Sequence, residues 1–148
     1  MRMSPFIQGY IIGIIEGEGY VGISRHKAHS KYKGKVYSYK SFVYRPRIDI
    51  TGTCKEFIYF INKTFPKTRV DTCREKNSKH KKRHILRFLG VSAVLDLLNN
   101  LPLDKFIVKG QQVLLLKKFC EERKKSYYYN GSEDAVYKRL RLLNKRGL

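Results

Sequence analysis

The sequence predicts an α+β domain with an antiparallel sheet, and this prediction depends on the order of its patterned segments. Segments with the two-residue alternation of β-strands come in two adjacent pairs, and helical segments precede, separate and follow the pairs. The order is therefore α-ββ-α-ββ-α-α-α, which is typical of an α+β fold rather than of alternating βαβ units. The chain has 148 residues, 42% of them hydrophobic, which suits one domain with its own core. We expect residues 1–126 to form this domain and residues 127–148 to be its C-terminal helical extension.

The first helix is predicted to begin at Ser4 and Pro5, which are favourable N-cap and first-turn residues. It should run to about Glu16, before Gly17 and Gly19 end it. Since apolar residues occupy every side of this helix, we expect it to be buried all round.

Three glycines of this helix, Gly9, Gly13 and Gly17, are spaced four residues apart and so lie on one side of it. Glycine costs about 1 kcal/mol relative to alanine at a helical position. A stripe of three glycines therefore indicates that another backbone approaches this side closely.

The first strand pair is predicted at residues 20–27 and 39–51, joined by a basic loop through about residue 35. On the second strand apolar side chains alternate with polar ones, so one face is apolar and the other carries hydrogen-bonding groups. Pro46 cannot donate to a ladder, which predicts a bulge or a sheet edge there. The second pair is predicted at residues 70–76 and 82–89, around another basic loop.

Helical segments follow each strand pair. Thr53 and Glu56 form a predicted capping box for the helix that begins there. Pro102 ends another helix, and Ser132 is predicted to cap the last one. These helices are predicted at residues 53–65, 92–101 and 108–124, and from residue 132 onwards.

The charge of the chain is strongly positive, because 32 Lys and Arg residues face 12 Asp and Glu residues, giving +20. Such an excess costs stability through self-repulsion, so a polyanionic partner is expected, and nucleic acid is the first candidate. No segment approaches the roughly 20 apolar residues of a membrane span. The first residues lack the apolar core of a signal peptide. We therefore expect an intracellular protein, in the cytoplasm of a prokaryote or an organelle of a eukaryote.

The cysteines and histidines favour structural or DNA-contacting roles over metal binding. The three cysteines are too far apart, and too few, for a zinc knuckle or a disulfide framework. Two histidine pairs have ligand-like spacing but lie in Lys-rich runs without a nearby cysteine, namely His26 with His29 and His80 with His84.

Glu16 and Glu18 are the only acidic residues among the first 48. A helix C-terminus carries partial negative charge, so each glutamate is misplaced there by about 0.3–1 kcal/mol. A divalent cation bound by carboxylate and backbone carbonyl oxygens would remove this conflict. The alternative is that both side chains are exposed or cap neighbouring backbone amides.

Residues 11–19, IIGIIEGEG, resemble the LAGLIDADG motif position for position. Gly13, Glu16, Glu18 and Gly19 occupy the positions of its first glycine, its two acids and its last glycine, and isoleucines occupy its large aliphatic positions. The following order of elements is similar to the LAGLIDADG homing endonuclease fold over about 120 residues. The resemblance implies an α-ββ-α-ββ-α domain with a curved antiparallel DNA-binding sheet, followed here by C-terminal helices.

The resemblance implies a Mg²⁺-dependent DNA endonuclease that acts as a homodimer, since this chain has one motif. The motif helices of the two copies would pack through Gly9, Gly13, Gly17 and Glu16. Glu18 would bind the catalytic Mg²⁺ together with the carbonyl of Gly17, whereas Glu16 would have a structural, capping role. Mn²⁺ would substitute for Mg²⁺, and Ca²⁺ would bind without supporting cleavage. The enzyme would cut a long pseudo-palindromic site across the minor groove, leave short 3′ overhangs and promote intron mobility.

In this family a lysine begins the helix that follows the third helix. This lysine can offset negative charge at the reaction site or help to order the water there. In DKFIVKGQQ that position falls on Lys109, with Gln112 nearby. The alternative for Lys109 is a phosphate contact. A polar residue, often glutamine, usually follows the second strand, where this chain has Gly52. Lys55 is the tentative substitute at the periphery of the site.

The resemblance also implies that the polar face of the sheet reads base edges in the major groove. The alternative for any one of these side chains is a phosphate contact or solvated surface. The candidate readers are Ser24, His26, Arg45, Arg47, Asp49, Thr51, Arg74, Lys76, Arg83 and Arg87. Loop lysines are expected to contact phosphates, which position DNA without specifying its sequence, namely Lys31, Lys33, Lys35, Lys79, Lys81 and Lys82.

Two other functions remain open from the sequence. One is an RNA-binding intron splicing cofactor (maturase) on the same fold, and the other is a basic ribosomal protein with an accidental motif. Intact Glu18 and Lys109 favour a nuclease, since a maturase need not retain them. The amphipathic pattern almost to the end of the chain is unlike the unstructured basic tails of ribosomal proteins.

Overall fold

A computed structural model describes residues 3–52, 54–73, 82–126 and 132–145. Within these ranges the order of elements confirms the predicted α+β class. The elements are α1 (Pro5–Glu18), β1 (Tyr20–Tyr32), β2 (Lys35–Gly52), α2 (Lys55–Thr64), β3 (Arg69–Cys73), β4 (Arg83–Leu89), α3 (Val91–Leu98), a single-turn 3-10 helix (Leu103–Lys105), α4 (Gly110–Lys125) and α5 (Ser132–Leu143). No helix among these residues is long and apolar enough to cross a membrane.

The four described strands form one antiparallel sheet in the order β1-β2-β4-β3. The predicted basic loop between β1 and β2 is wrong, because both strands continue to a two-residue turn at Lys33 and Gly34. Both residues have positive φ, at 48° and 78°, which is the backbone conformation that joins twisted antiparallel strands most directly. The result is a long β-ribbon that extends beyond the rest of the sheet.

Pro46 lies at a sheet edge and not at a bulge. The register runs unbroken past it, with Pro46 opposite Ile23, and the irregularity falls between Lys27 and His29 on β1. On its other side the pairing of β2 with β4 ends at Arg47 and Leu89. The missing N–H of Pro46 therefore falls beyond that ladder, which is why the strand tolerates it.

Two helix starts test the capping predictions. Ser4 is the N-cap of α1, and its side chain accepts a hydrogen bond from the amide of Ile7 at 3.3 Å, as predicted. The capping box for α2 is wrong, because the N-cap is Cys54, which makes no side-chain cap bond. Thr53 itself lies outside the described residues.

The core lies between the helices and one face of the sheet. Along β4 buried and less buried side chains alternate, so the sheet has one apolar face and one polar face. The largest fully buried side chains come from α1, the sheet, α2, α3, α4 and α5, and they include Ile11, Ile15, Ile48, Ile50, Ile58, Leu86, Phe88, Leu97, Leu116 and Leu140.

Helix α1 is buried on one side only, which corrects the prediction of burial all round. Ile11, Ile12 and Ile15 are buried, whereas Phe6 is 76% exposed and Tyr10 is 48% exposed. Within a single copy the helix therefore has an apolar side that is open to solvent. The packing of one copy alone does not account for the apolar residues on that side.

Helix α5 is fastened to the sheet by polar contacts. Oδ1 of Asp134 accepts hydrogen bonds from the hydroxyl of Tyr44 at 2.7 Å and from the guanidinium of Arg25 at 3.1 Å. Near the other end of the helix, the amide of Asn144 donates to the backbone carbonyl of Val21 at 2.9 Å. Since β1 is an edge strand, α5 packs where the sheet would otherwise end in exposed backbone.

We predict that Asp134→Asn weakens the docking of α5 in a pH-dependent manner. Hydrogen bonds from Lys138 and Tyr44 hold the pKa of Asp134 at about 2, below its ordinary value of 3.8. Because the folded-state pKa is depressed, the stabilisation is fully present above the ordinary value and is lost as the pH falls towards 2. Denaturant unfolding should show a lower free energy of unfolding for the variant at pH 7, and a gap to wild type that closes towards pH 2. A gap of the same size at both pH values would contradict this role, and Asp96→Asn, on α3, is the matched control.

Candidate active site and nucleic-acid interface

Glu18 is the last residue of α1, and its side chain is exposed. Among the described residues it makes no hydrogen bond or ion pair, so its carboxylate is available to a ligand. It stands in an open groove between the end of α1, the end of β2 and the start of α2. The groove is lined by Tyr10, Gly13, Ile14, Gly17, Glu18, Thr51, Gly52, Cys54, Phe57 and Ile58.

Glu16, two residues earlier, is fully engaged within its own chain. Its Oε1 accepts hydrogen bonds from the backbone amides of Ile107 at 3.0 Å and Lys109 at 3.1 Å, and its Oε2 accepts one from Val108 at 2.6 Å. This carboxylate therefore fastens the segment before α4 to the C-terminal end of α1. The contact is the capping role that the resemblance implies, and it explains one of the two misplaced acids.

Lys109 is the N-cap residue of α4, so the predicted lysine does stand at the start of that helix. Its Nζ donates to the backbone carbonyl of Ile15 at 2.7 Å and to that of Gly19. The ammonium group thus sits at the negative end of the α1 dipole, where a cation is favoured. The contacts bring Lys109 to the same helix end that carries Glu18.

The residues at this helix end fit part of a magnesium site. Glu18 offers a free carboxylate, and the carbonyl of Gly17 lies in the last helical turn, where intrahelical donors run out. Hard oxygen ligands of this kind suit Mg²⁺, which takes six of them. No cluster of three His, Cys, Asp or Glu side chains occurs among the described residues. One copy of this part of the chain would therefore supply only some of the six ligands of a bound Mg²⁺.

The cysteines and His84 belong to no group of three possible metal ligands among the described residues. Burial raises the pKa of the Cys120 thiol to about 12, and Cys54 and Cys73 are exposed and unbridged. His84 is buried, with Nδ1 3.3 Å from the hydroxyl of Thr72, while His80 lies outside the described residues.

The two tentative residues of the active-site periphery, Gln112 and Lys55, have different surroundings. Gln112 is buried, and its amide donates to the carbonyl of Leu143 at 3.2 Å, so it fastens α5 rather than facing Glu18. Lys55 is exposed at the first position of α2, with its Nζ 5.7 Å from the ring centroid of Tyr59. It lies next to the groove in sequence but does not line it.

The glycine stripe of α1 faces open space. A Cβ atom built at Gly9, Gly13 or Gly17 would meet nothing within 4 Å. Among the described residues, no backbone outside the neighbouring turns of α1 approaches these glycines, so this part of a single copy does not supply the packing that the stripe predicts. Glu16 is predicted to belong to the same interface, but its carboxylate is engaged by the amides of its own chain.

The polar face of the sheet brings most of the predicted DNA-contacting residues together. Cross-strand pairing sets Ser24 opposite Arg45 on this face, and Asp49 opposite Arg87. Alternation along the strands adds His26, Arg47, Thr51 and Arg83 to it. Of the remaining predicted contacts, Arg74, Lys76, Lys79 and Lys81 lie outside the described residues, whereas Lys31, Lys33, Lys35 and Lys82 are exposed.

Asp49 differs from the other predicted readers because it is buried. Its Oδ2 lies 3.0 Å from Nη1 of Arg87 and 3.3 Å from Nε of Arg47. Arg69 and Asp71 on β3 were also missed by the sequence analysis, although the alternation of side chains along that strand places both on the polar face of the sheet. The predicted strand began one residue too late to include Arg69, and Asp71, which lies on the same strand, was not among the predicted contacts.

Comparison with known proteins identifies the fold. No protein-family model and no curated protein matches the sequence. The archaeal intron-encoded homing endonuclease I-Vdi141I, complexed with DNA, matches with a TM-score of 0.70 at 21% identity, over 97% of this chain and 87% of that one. The homing endonuclease I-CvuI, in complex with its target in 2 mM Ca, matches with a TM-score of 0.62 at 14% identity, over 97% and 84%.

The LAGLIDADG homing endonuclease I-LtrWI, bound to target DNA, matches with a TM-score of 0.65 at 14% identity, over 99% of this chain and 46% of that one. This chain therefore has the fold of the LAGLIDADG homing endonucleases. The expectation that the motif raised is confirmed at the level of fold.

We predict that Glu16→Gln destabilises the chain by about 1–2 kcal/mol, because a charged acceptor of backbone amides becomes a neutral one with a single oxygen. The partly exposed setting of Glu16 favours the lower part of that range. Chemical denaturation measures the change. Glu121→Gln is the control, since Glu121 is exposed and lies 3.9 Å from Lys117 on the same helix. Equal stability of the two variants would show that Glu16 does not fasten α4 to α1.

Proposed function

We propose that this protein is a site-specific, Mg²⁺-dependent DNA endonuclease that acts as a homodimer. The observation that carries the proposal is the free carboxylate of Glu18 at the C-terminus of α1, beside Lys109. In a chain of net charge +20, an unpaired acid at the negative end of a helix is electrostatically unfavourable unless a cation joins it. The fold, whose solved examples include DNA complexes, supports DNA as the substrate.

The substrate would lie across the polar face of the sheet. That face carries several arginines, and exposed lysines stand along the ribbon and at the start of β4, which suits a phosphate backbone. Major-groove readout by alternate side chains of a β-ribbon is physically feasible. The proposed target is a long pseudo-palindromic site, cut in both strands to leave short 3′ overhangs, and the biological result is intron mobility.

Glu18 and the residues around it would have different roles in phosphodiester hydrolysis. Glu18 and the carbonyl of Gly17 would hold Mg²⁺, which when bound supplies positive charge to stabilise the phosphate as negative charge develops on it. Lys109 adds a second positive charge at the same helix end and is held there by two backbone carbonyls. Glu16 acts through Lys109, because it fixes the backbone from which that side chain extends.

Two observations support a homodimer. The apolar, glycine-lined side of α1 is open in a single copy, and a second α1 is the partner whose backbone could approach it closely. This chain also spans 46% of I-LtrWI, so two copies would match the length of that DNA-bound protein. Packing two α1 helices along this stripe would bring two Glu18 residues to one dyad, as cleavage of both strands requires.

We predict that Glu18→Gln abolishes cleavage while DNA binding remains. With Mg²⁺ or Mn²⁺, wild type should produce discrete double-strand breaks in a DNA library, and the variant should cleave slower by on the order of 100-fold or more. Ca²⁺ should support binding without cleavage. Glu122→Gln, an exposed change on α4, should cleave like wild type. If wild type binds nucleic acid but never cuts, the nuclease proposal is wrong, and intron RNA is the next ligand to test for a splicing cofactor.

We predict that Gly13→Leu converts the dimer to a folded monomer. Among the described residues, no atom outside the neighbouring turns of α1 lies within 4 Å of a Cβ built at this position. Leucine also has a higher helix propensity than glycine, so the monomer should not lose stability. Sedimentation velocity measures the change in mass. Ala135→Leu places the same bulk on an exposed position of α5 and should remain dimeric. A dimeric Gly13→Leu variant would exclude the glycine stripe as the interface.

A further inference from the structure

A row of side chains crosses all four strands on the polar face of the sheet. Tyr20, Asp49, Arg87 and Arg69 are successive cross-strand partners on β1, β2, β4 and β3. Arg47 and Asp71 stand two residues along β2 and β3, on the same face. Two carboxylates therefore lie among three arginines on the surface that the proposed function assigns to DNA.

Arg87 lies at the centre of this row, which we call the arginine row. Its Nε donates to Asp71 at 2.6 Å and its Nη1 donates to Asp49 at 3.0 Å. The same oxygen of Asp71 accepts a hydrogen bond from Nη2 of Arg69 at 3.0 Å. Two carboxylates thus join the arginines of β2, β4 and β3 into one connected set.

Arg47 lies at the other end of the row and makes two different contacts. Its Nε lies 3.3 Å from Oδ2 of Asp49, as an ion pair without a hydrogen bond, and its guanidinium carbon lies 4.7 Å from the ring centroid of Tyr20. Gly22 leaves room for the Tyr20 ring, because a Cβ there would collide with the hydroxyl end of that side chain. The lack of a side chain at Gly22 therefore favours the ring position on which Arg47 stacks.

The two acids of the row differ in exposure. The side chain of Asp49 is 10% exposed, whereas that of Asp71 is 36% exposed. Among the arginines, Arg87 is 23%, Arg47 is 30% and Arg69 is 64% exposed. Asp49 also keeps a buried oxygen, Oδ1, without a hydrogen-bond partner in the described structure. Asp49 therefore has little surface for a ligand, whereas Arg69 and part of Arg47 are open to one.

We infer that Asp49 and Asp71 are positioning residues. They hold Arg47 and Arg69 in place to read guanine, and Arg87 links the two carboxylates by bonding to both. The inference rests on the proposed function. Guanine presents O6 and N7 in the major groove, and a forked guanidinium donates to both atoms at once. An arginine held beforehand loses less rotational freedom on binding, so the two carboxylates would contribute to specificity through the arginines that they hold.

A purely structural role for the network predicts a different result. Replacing Asp71 by Asn removes a negative charge, which should leave affinity for random DNA unchanged or higher, since phosphate attraction increases. If the network only stabilises the sheet, the variant would melt at a lower temperature and keep the base preferences of wild type. If the network positions arginines, the variant would lose preference for particular guanines.

The test is selection from a randomised DNA library in Ca²⁺ buffer, with wild type, Asp71→Asn and the control Asp96→Asn. Asp96 lies on α3 and pairs with Lys67, so its replacement changes the charge equally but away from the row. We expect Asp71→Asn to lose about tenfold preference at one or two guanine positions, and Asp96→Asn to select like wild type. An unchanged Asp71→Asn profile overturns the inference.

Arg69→Lys tests the same point if Asp71→Asn does not fold. It keeps the charge but loses the planar fork, so it should lose guanine preference with little change in affinity for random DNA. A variant that selects like wild type overturns the inference while leaving the proposed function intact. If wild type itself selects no sequence, the proposed function fails, and the inference fails with it.

Discussion

The hydrogen bonds between the Glu16 carboxylate and the backbone amides of residues 107–109 are the contact on which the candidate site depends. They join the end of the first helix to the start of the fourth, which are far apart in sequence. The contact sets the position of Lys109, whose ammonium group then reaches the carbonyls at the end of α1. Glu18, two residues further on, has no hydrogen-bond or ion-pair partner within the part of the chain that the structure describes. One acid thus holds the structure together, and the other remains available for chemistry.

The two faces of the sheet have different roles. The apolar face packs on the helices and forms the core, while the polar face collects arginines from three strands. Like charges so close together repel, and Asp49 and Asp71 offset that repulsion. Arg87 lowers the pKa of Asp71, so this carboxylate stays ionised, and burial raises that of Asp49. The two carboxylates thus link the arginines of this face, which keeps a positive excess that can attract a polyanion.

Local signals predicted the parts of this fold that depend on neighbouring residues. The start of α1 follows from Ser4 and Pro5, and the two faces of β2 follow from simple alternation. The length of the β1–β2 ribbon was missed because a two-residue turn at Lys33 and Gly34 resembles any other basic loop in sequence.

Contacts between distant segments could not be read from such signals. The arginine row depends on cross-strand register, and the placement of Gln112 against Leu143 depends on how α5 docks. Glu16 and Glu18 were recognised as unusual from charge alone, but their separate roles required the tertiary contact with residues 107–109. The motif resemblance correctly indicated the fold, which a comparison of sequences at this level of identity did not reveal.

The most direct test of the central claim is a crystal structure of the protein with its selected DNA, grown with Mn²⁺ and recorded at a wavelength that locates the metal by anomalous scattering. The account predicts a metal peak in contact with the Glu18 carboxylate and a phosphate of the DNA, with a second copy of α1 packed along the glycine stripe. A metal peak elsewhere, or none beside Glu18 when DNA is bound across the sheet, would contradict it.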